Sequence, residues 1–271
     1  MTVRVVASEV RRLRGVRTTW VVVAGALVLN AAAAVFTATR LPAGELAVPD
    51  AVRSLAAVVP VLPLPLTALA AAVLGALAYG NETRWPGLPA SRVTVGRRLT
   101  ALLAKSLVVG AAALLLAALT LVVNALAVRL ALPAGVDASA LLDPPGLPAA
   151  PFATGGIGRP LAAFLALAVA GGWAGLLITS LVRSAVVGIL LTGALPALLE
   201  PTAGLLLHRA GRNWPVWVRE LLPFQYGLDW VRDAADRTAG ALDGVVLAAL
   251  LAPAALLVLA AVLAQLRRRS L

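Results

Sequence analysis

The chain has 271 residues, of which 61% are hydrophobic and 13% charged, and its formal net charge is +11 at pH 7. A soluble domain is about half apolar and a quarter charged, so this composition indicates one integral membrane domain, residues 1–271, with no room for a sizeable soluble domain. The chain contains no cysteine, which excludes disulfides and thiolate metal sites.

The first element in chain order is a basic N-terminal segment, residues 1–18. At helical spacing, five apolar side chains fall on one face: Val3, Val6, Ala7, Val10 and Leu13. The other face carries Arg4, Ser8, Arg11 and Arg12. This pattern predicts an amphipathic helix in the membrane interface, with Arg4, Arg11 and Arg12 anchored among anionic lipid head groups. The alternative is a disordered basic tail that only sets the topology.

Six stretches are long and apolar enough to cross a bilayer, which takes about 20 residues. They are Thr19–Thr39, a stretch between Val52 and Tyr79, Leu99–Leu130, Leu161–Val182, Ala185–Leu199 and Val245–Leu266. The pattern predicts an all-α polytopic membrane protein with six transmembrane helices. Only Arg183 and Ser184 separate the fourth and fifth stretches, so we expect a tight helical hairpin there.

The second stretch contains three prolines, Pro60, Pro63 and Pro65. Proline removes a backbone donor and kinks a helix. We expect these residues to lie in the outer part of one span and to bend it. The alternative is a loop that ends near Pro65.

The distribution of basic residues predicts the orientation of the spans. Fourteen of the 23 basic residues flank the N-terminus, the connection after the second span, the turn at Arg183 and the C-terminus, against two acids, Glu9 and Glu82. Because basic residues are retained in the cytoplasm, we expect both termini to be cytoplasmic in a bacterial cell membrane. The basic residues alternate between connections and accompany no basic-aromatic motif, so we expect no nucleic-acid partner.

The stretch "GNETRWPGLPASRVTVGRRLTALLAK", from Gly80 to Lys105, concentrates charge between two apolar spans. Its Gly, Asn and Pro residues predict that the second helix stops there and that Ser91 caps the next one. We call residues 80–99 the elbow. Its charges of both signs and an exposed tryptophan suit a docking surface for a soluble partner. The expected contact residues are Glu82, Arg84, Trp85 and Arg92.

The elbow resembles the connection between the second and third spans of type-2 ABC exporter permeases. The shared order is a glutamate after the second span, a turn with Pro89, Ser91 and Arg92, and a basic residue, Lys105, at the head of the third span. Where that family often has an apolar run into a Gly-Thr-Leu motif, this chain has residues 84–87, Arg-Trp-Pro-Gly. The resemblance implies two partners: a separate ATP-binding cassette subunit and a second permease copy, identical or related.

A long external segment, residues 200–243, contains five of the twelve aromatic residues of the chain, namely Trp214, Trp217, Phe224, Tyr226 and Trp230. Short interfacial helices explain these aromatics at least as well as a binding site does. The resemblance implies that such helices form a lid over a translocation path. Glu200 would be a path or lid residue if it enters the membrane. Asn30 and Asn124 are further path candidates, although a helix–helix hydrogen bond explains them as well.

No motif for nucleotide hydrolysis or metal catalysis is visible. Lys105-Ser106 follows Ala104 and lacks the glycines of a phosphate loop, and His208 is the only histidine. We therefore expect no cofactor and no enzymatic activity, with ATP hydrolysis on a partner chain. The leading interpretation is a permease subunit that exports an amphipathic or apolar compound such as a drug, antibiotic or lipid-like molecule. The alternatives are a membrane scaffold or anchor and a channel or transporter that works alone.

Overall fold

A computed structural model describes residues 2–41, 44–45, 48–57, 64–84, 95–133, 136–137 and 158–194. The expected sixth span, the external segment 200–243 and three expected site residues, Trp85, Arg92 and Glu200, lie outside the described residues. The side chains of Arg4, Glu82 and Arg84 are also outside this description.

The described chain is helical apart from short connections and one pair of two-residue strands. The elements are α1 (Thr2–Gly15), α2 (Arg17–Ala38), β1 (Gly44–Glu45), α3 (Val48–Leu55), α4 (Leu66–Arg84), α5 (Val95–Ala131), β2 (Val136–Asp137), α6 (Gly158–Val182) and α7 (Ala185–Ala194). The expectation of a helical fold is thereby confirmed.

Three described segments are long and apolar enough to cross a membrane: Arg17–Ala38, Thr100–Ala131 and Pro160–Val182. They coincide with the first, third and fourth stretches expected from hydropathy. Two apolar helices are shorter, Leu66–Gly80 and Ala185–Ala194. The three long helices indicate a membrane protein, because about 20 apolar residues in helical form match the thickness of the hydrocarbon layer.

The expected single bent helix between Val52 and Tyr79 is wrong. Helix α3 ends at Leu55, and Ala57 has a left-handed φ of 46° that a continuing helix does not allow. Helix α4 begins at Leu66, and the carbonyl of Pro65 accepts the backbone N–H groups of Ala68 and Leu69 at 2.9 and 3.1 Å. A proline tolerates this place because the first N–H groups of a helix have no intrahelical acceptor.

The helix of the second span continues past Gly80 and ends at Arg84, within the charged stretch. Gly80 is buried inside the helix, where an added Cβ would collide with Cβ of Ala185. This glycine therefore serves close helix packing and does not end the helix. The elbow, residues 80–99, begins within α4 at Gly80 and ends within the first turns of α5. Its residues 85–94 connect the two helices.

The helical hairpin expected at Arg183 and Ser184 is confirmed. Helices α6 and α7 are separated by these two residues, and Arg183 has a φ of 61°. The two helices pack closely, because an added Cβ on Gly188 would meet the Thr179 side chain. The left-handed residue ends α6, and the backbone reverses within one short connection.

Helices α4 and α6 form the closest helix pair in the core. Gly75, Gly171 and Gly175 let the backbones approach: a Cβ on Gly175 would lie 2.7 Å from the carbonyl carbon of Ala72. Small residues at such a crossing give van der Waals contact along the backbone, which is a main source of helix association in lipid. Phe164 and Leu167 of α6 fill the core on the same side of the bundle.

The helices run so that three connections, α1–α2, α4–α5 and α6–α7, gather at one end of the bundle. Leu13 of α1, Thr19 of α2, Leu77 of α4 and Lys105 of α5 line one cavity. Because Gly80 touches Ala185, the α6–α7 turn is at this end too. We call this the elbow end.

The opposite end is closed by the connections that follow α2, α3 and α5. Ala38, Ala57 and Val128 form a small apolar cluster there, with Leu41 and Leu132 packed against it. Strands β1 and β2 pair in parallel, with Gly44 opposite Val136 and Glu45 opposite Asp137. This pairing ties the α2–α3 connection to the α5–α6 connection.

Candidate functional site

The elbow end contains a buried ion pair. Lys105 Nζ, on α5, lies 2.7 Å from Glu9 Oε1, on α1. The Lys105 side chain is 3% exposed and the Glu9 side chain 16%. Burying charges is costly unless they are paired, so an ionisable residue inside a membrane span marks a functional candidate.

The ion pair borders a cavity between α1, α2, α4 and α5, which we call the α1 cavity. Its lining residues are Glu9, Arg12, Leu13, Val16, Thr19, Leu77, Ala78, Lys105, Val108 and Val109. Its volume is about 20 Å³, enough for about one water molecule. Most of the wall is apolar, and Glu9, Arg12, Thr19 and Lys105 supply the polar groups.

This pair was not predicted from the sequence. Glu9 was assigned to the topological charges of the N-terminus and Lys105 to the head of a span. In the fold, Lys105 lies ten residues into α5, inside the candidate span Thr100–Ala131. One signal was present: Lys105 is the only lysine, and it is embedded in an apolar run.

The N-terminal helix differs in detail from the expected one. It ends at Gly15, and Arg17 already belongs to α2. Arg11 is exposed, as is Val10, whereas Arg12 is half-buried and lines the α1 cavity beside Leu13. Arg11 and Arg12 therefore point in different directions, and their expected role as lipid anchors stays a prediction, together with that of Arg4.

Another polar contact at this end joins α6 to α5. Trp173 Nε1 donates to the carbonyl oxygen of Ser106 at 2.8 Å. Gly110 leaves room for the indole, because a Cβ there would lie 2.9 Å from Trp173 Nε1. Lys105 and Ser106 are neighbours, so α5 is held by α1 and by α6 at the same level of the bundle.

The two asparagines considered as path residues make helix–helix contacts. Thr67 Oγ1 of α4 donates to Asn30 Oδ1 of α2 at 3.2 Å, and Asn30 Nδ2 donates to the carbonyl of Ala26 at 2.7 Å. Asn124 Nδ2 of α5 donates to the carbonyl of Leu55 in α3 at 2.8 Å. Both asparagines are fully buried. The hydrogen-bonding interpretation is confirmed for both, and a role in a path stays a prediction.

Of the expected docking residues, the structure places only Glu82 and Arg84, and these by backbone position alone. Glu82 and Arg84 lie in the last turn of α4, at the elbow end. Within the described ranges, no three His, Asp or Glu side chains come together as metal ligands would.

Comparison of the chain with protein-family models, with curated proteins and with solved structures found no match.

Proposed function

We propose that this chain is the transmembrane permease subunit of an ABC-type exporter, driven by a separate ATPase subunit that docks on the elbow. The proposal includes six transmembrane helices, an interfacial α1, cytoplasmic termini and a dimer of permease subunits. One observation carries it: α4 and α5, the two helices that the elbow joins, meet α1 and the α6–α7 turn at one end of the bundle.

The charge at the elbow end supports a cytoplasmic orientation for it. Arg11, Arg14 and Arg17 are exposed around the α1–α2 junction, and Arg183 is exposed in the α6–α7 turn. The elbow adds further basic residues. Basic residues in short connections are retained on the cytoplasmic side, which is where an ATPase subunit would be available.

The packing supports a mechanical role for the elbow. Helix α5 contacts α1 through the ion pair and α6 through Trp173, while α4 packs closely on α6. A force applied to the elbow would therefore reach α1 and the core of the bundle through direct contacts. Alternating access works by gating one group of helices against another.

The composition of the helix interfaces supports the proposed substrate class. The described core consists largely of Ala, Leu and Val, and its polar members are Thr, Ser and Asn side chains together with Lys105. A path between such helices would favour an amphipathic or apolar compound, because it offers little compensation for a desolvated charge.

The proposal is tested by coexpression with an ATP-binding subunit encoded by a neighbouring reading frame. The two chains should copurify from membranes, and the complex should hydrolyse ATP faster in the presence of a transported amphipathic compound. The purified permease alone should hydrolyse none, because its sequence lacks a phosphate loop.

The matched control is the same complex with the P-loop lysine of the ATPase subunit replaced by alanine. Hydrolysis should then vanish while copurification persists. Saturable ATP binding by the isolated permease would contradict the proposal. Copurification without any response of hydrolysis to amphipathic compounds would favour a scaffold.

A further inference from the structure

The described side chains of helix α1 make little apolar contact with the bundle. Among its described side chains, Val6 to Gly15, none is buried, and only Val6, Glu9, Arg12 and Leu13 are half-buried. An amphipathic helix in a soluble fold is normally held by a stripe of buried apolar side chains. The carboxylate of Glu9 nevertheless reaches the ammonium of Lys105, whose side chain is buried within the bundle.

The loss of one partner distinguishes this ion pair from an exposed one. Removing one member of a buried pair leaves the other charge uncompensated, which is far more damaging than losing an exposed pair. The chain offers a direct comparison: Arg53 and Asp50 form an exposed pair within α3, at 3.6 Å, with side chains 55% and 35% exposed. Such surface pairs contribute little.

The junction between α1 and α2 can act as a hinge. Val16 alone separates the helices and has an extended backbone, with φ −90° and ψ 117°. No side chain among the described residues caps the start of α2. Trp20 Nε1 donates to the carbonyl of Arg14 at 2.9 Å, and this bond bridges the junction. Hinges are short segments that absorb a change in backbone angles between rigid elements.

Helix α1 also covers the α1 cavity. The bundle side of the cavity is lined by Thr19, Leu77, Lys105 and Val109. The α1 side is lined by Glu9, Arg12 and Leu13. Movement of α1 about Val16 would open this cavity and expose Lys105.

We propose that Glu9 and Lys105 form a latch that holds α1 closed over the α1 cavity, and that breaking this one pair releases α1 as a unit while the rest of the bundle stays folded. The latch is a property of the chain itself and does not depend on an ATPase partner. The latch also explains why one of the 23 basic residues is a lysine. The compact ammonium of lysine fits beside Val108 and Leu77, whereas the broad, planar guanidinium of arginine would fit there poorly.

The test uses the absence of native cysteine. Leu77→Cys places one thiol in the wall of the α1 cavity, on a helix other than α1. In the purified full-length chain, a water-soluble maleimide should modify this thiol slowly. Glu9→Gln and Lys105→Met should each raise the labelling rate by roughly tenfold or more, because each removes the ion pair that joins α1 to α5. Lys105→Arg should raise it as well.

Two controls separate the latch from general loosening. The reversed pair, Glu9→Lys with Lys105→Glu, should return the rate towards that of the parent, and Asp50→Asn should leave it unchanged. A cysteine at Ala117, in the core, should stay unlabelled in every folded variant. Labelling of Ala117→Cys would therefore identify a variant that has unfolded. If Lys105→Met unfolds the chain, Glu9→Gln decides. The latch would be overturned if Glu9→Gln left the labelling rate of Leu77→Cys unchanged. It would also be overturned if the reversed pair were labelled as fast as the single variants.

Discussion

Replacing Glu82 or Arg92 with alanine is expected to weaken copurification of the ATPase subunit, or to uncouple ATP hydrolysis from transport, while membrane insertion stays normal. Glu82 lies in the last turn of α4, at the elbow end. Removing one side of a desolvated charge contact between proteins costs about 2–5 kcal/mol, much of it from the partner charge left unpaired. A loss of that size would lower the affinity by more than about tenfold, which pull-down from solubilised membranes would detect.

The matched controls are Arg97→Ala and Arg98→Ala. Both residues belong to the start of α5, close to the expected level of the lipid head groups. We expect them to set topology, so their loss should disturb insertion slightly and leave ATPase binding intact. The docking role would be contradicted if all four variants behaved alike, or if Glu82→Ala and Arg92→Ala left docking and coupling untouched.

A methyl group added at Gly175 is expected to destabilise the bundle by about 3 kcal/mol, near the upper end of typical overpacking costs. The new Cβ would lie 2.7 Å from the carbonyl carbon and 2.9 Å from the Cα of Ala72. These are backbone atoms, so no side chain can rotate away and the helices α4 and α6 must separate. Unfolding of Gly175→Ala in mixed micelles would measure the loss.

Gly25→Ala provides the control for this prediction. Gly25 also lies inside an apolar helix, α2, but nothing comes within 4 Å of a Cβ built there. Alanine should be neutral or stabilising by up to about 1 kcal/mol, because it lowers the backbone entropy lost on folding. If Gly175→Ala were as stable as Gly25→Ala, the close crossing of α4 and α6 would be wrong.

The elements that depend on local sequence could be predicted. Long apolar runs indicated the first, third and fourth spans within a few residues, because hydrocarbon imposes a minimum length on each crossing. The hairpin at Arg183 could be predicted because only two residues separate the two apolar stretches. In each case the information lies within one segment of chain.

Features that depend on neighbours in space could not be predicted in the same way. Gly80 looks like a helix terminator in the sequence, but in the fold it gives room for Ala185. The interruption after Leu55 precedes the prolines that were expected to bend the span. A glycine that ends a helix and one that admits a neighbouring helix have the same local sequence, so only the packing distinguishes them.

The ion pair is the clearest case for the candidate site. Glu9 and Lys105 belong to different helices and are far apart in sequence, so no periodicity connects them. Lys105 was counted among the basic residues that set the topology, and Glu9 as one of the two acids on the same side of the membrane. The available clue was a single lysine in an arginine-rich chain. A buried lysine needs a partner of opposite charge, which must lie on the same side of the membrane.

The most direct measurement of the proposed function is transport by the permease–ATPase complex reconstituted in proteoliposomes, with ATP outside and a fluorescent amphipathic compound as cargo. ATP should drive the compound into the lumen of vesicles whose elbow end faces outward. Replacing the P-loop lysine of the ATPase subunit should abolish this movement. The proposed function would be contradicted if the compound moved equally with and without ATP. It would also be contradicted if no compound moved although the ATPase subunit hydrolysed ATP normally.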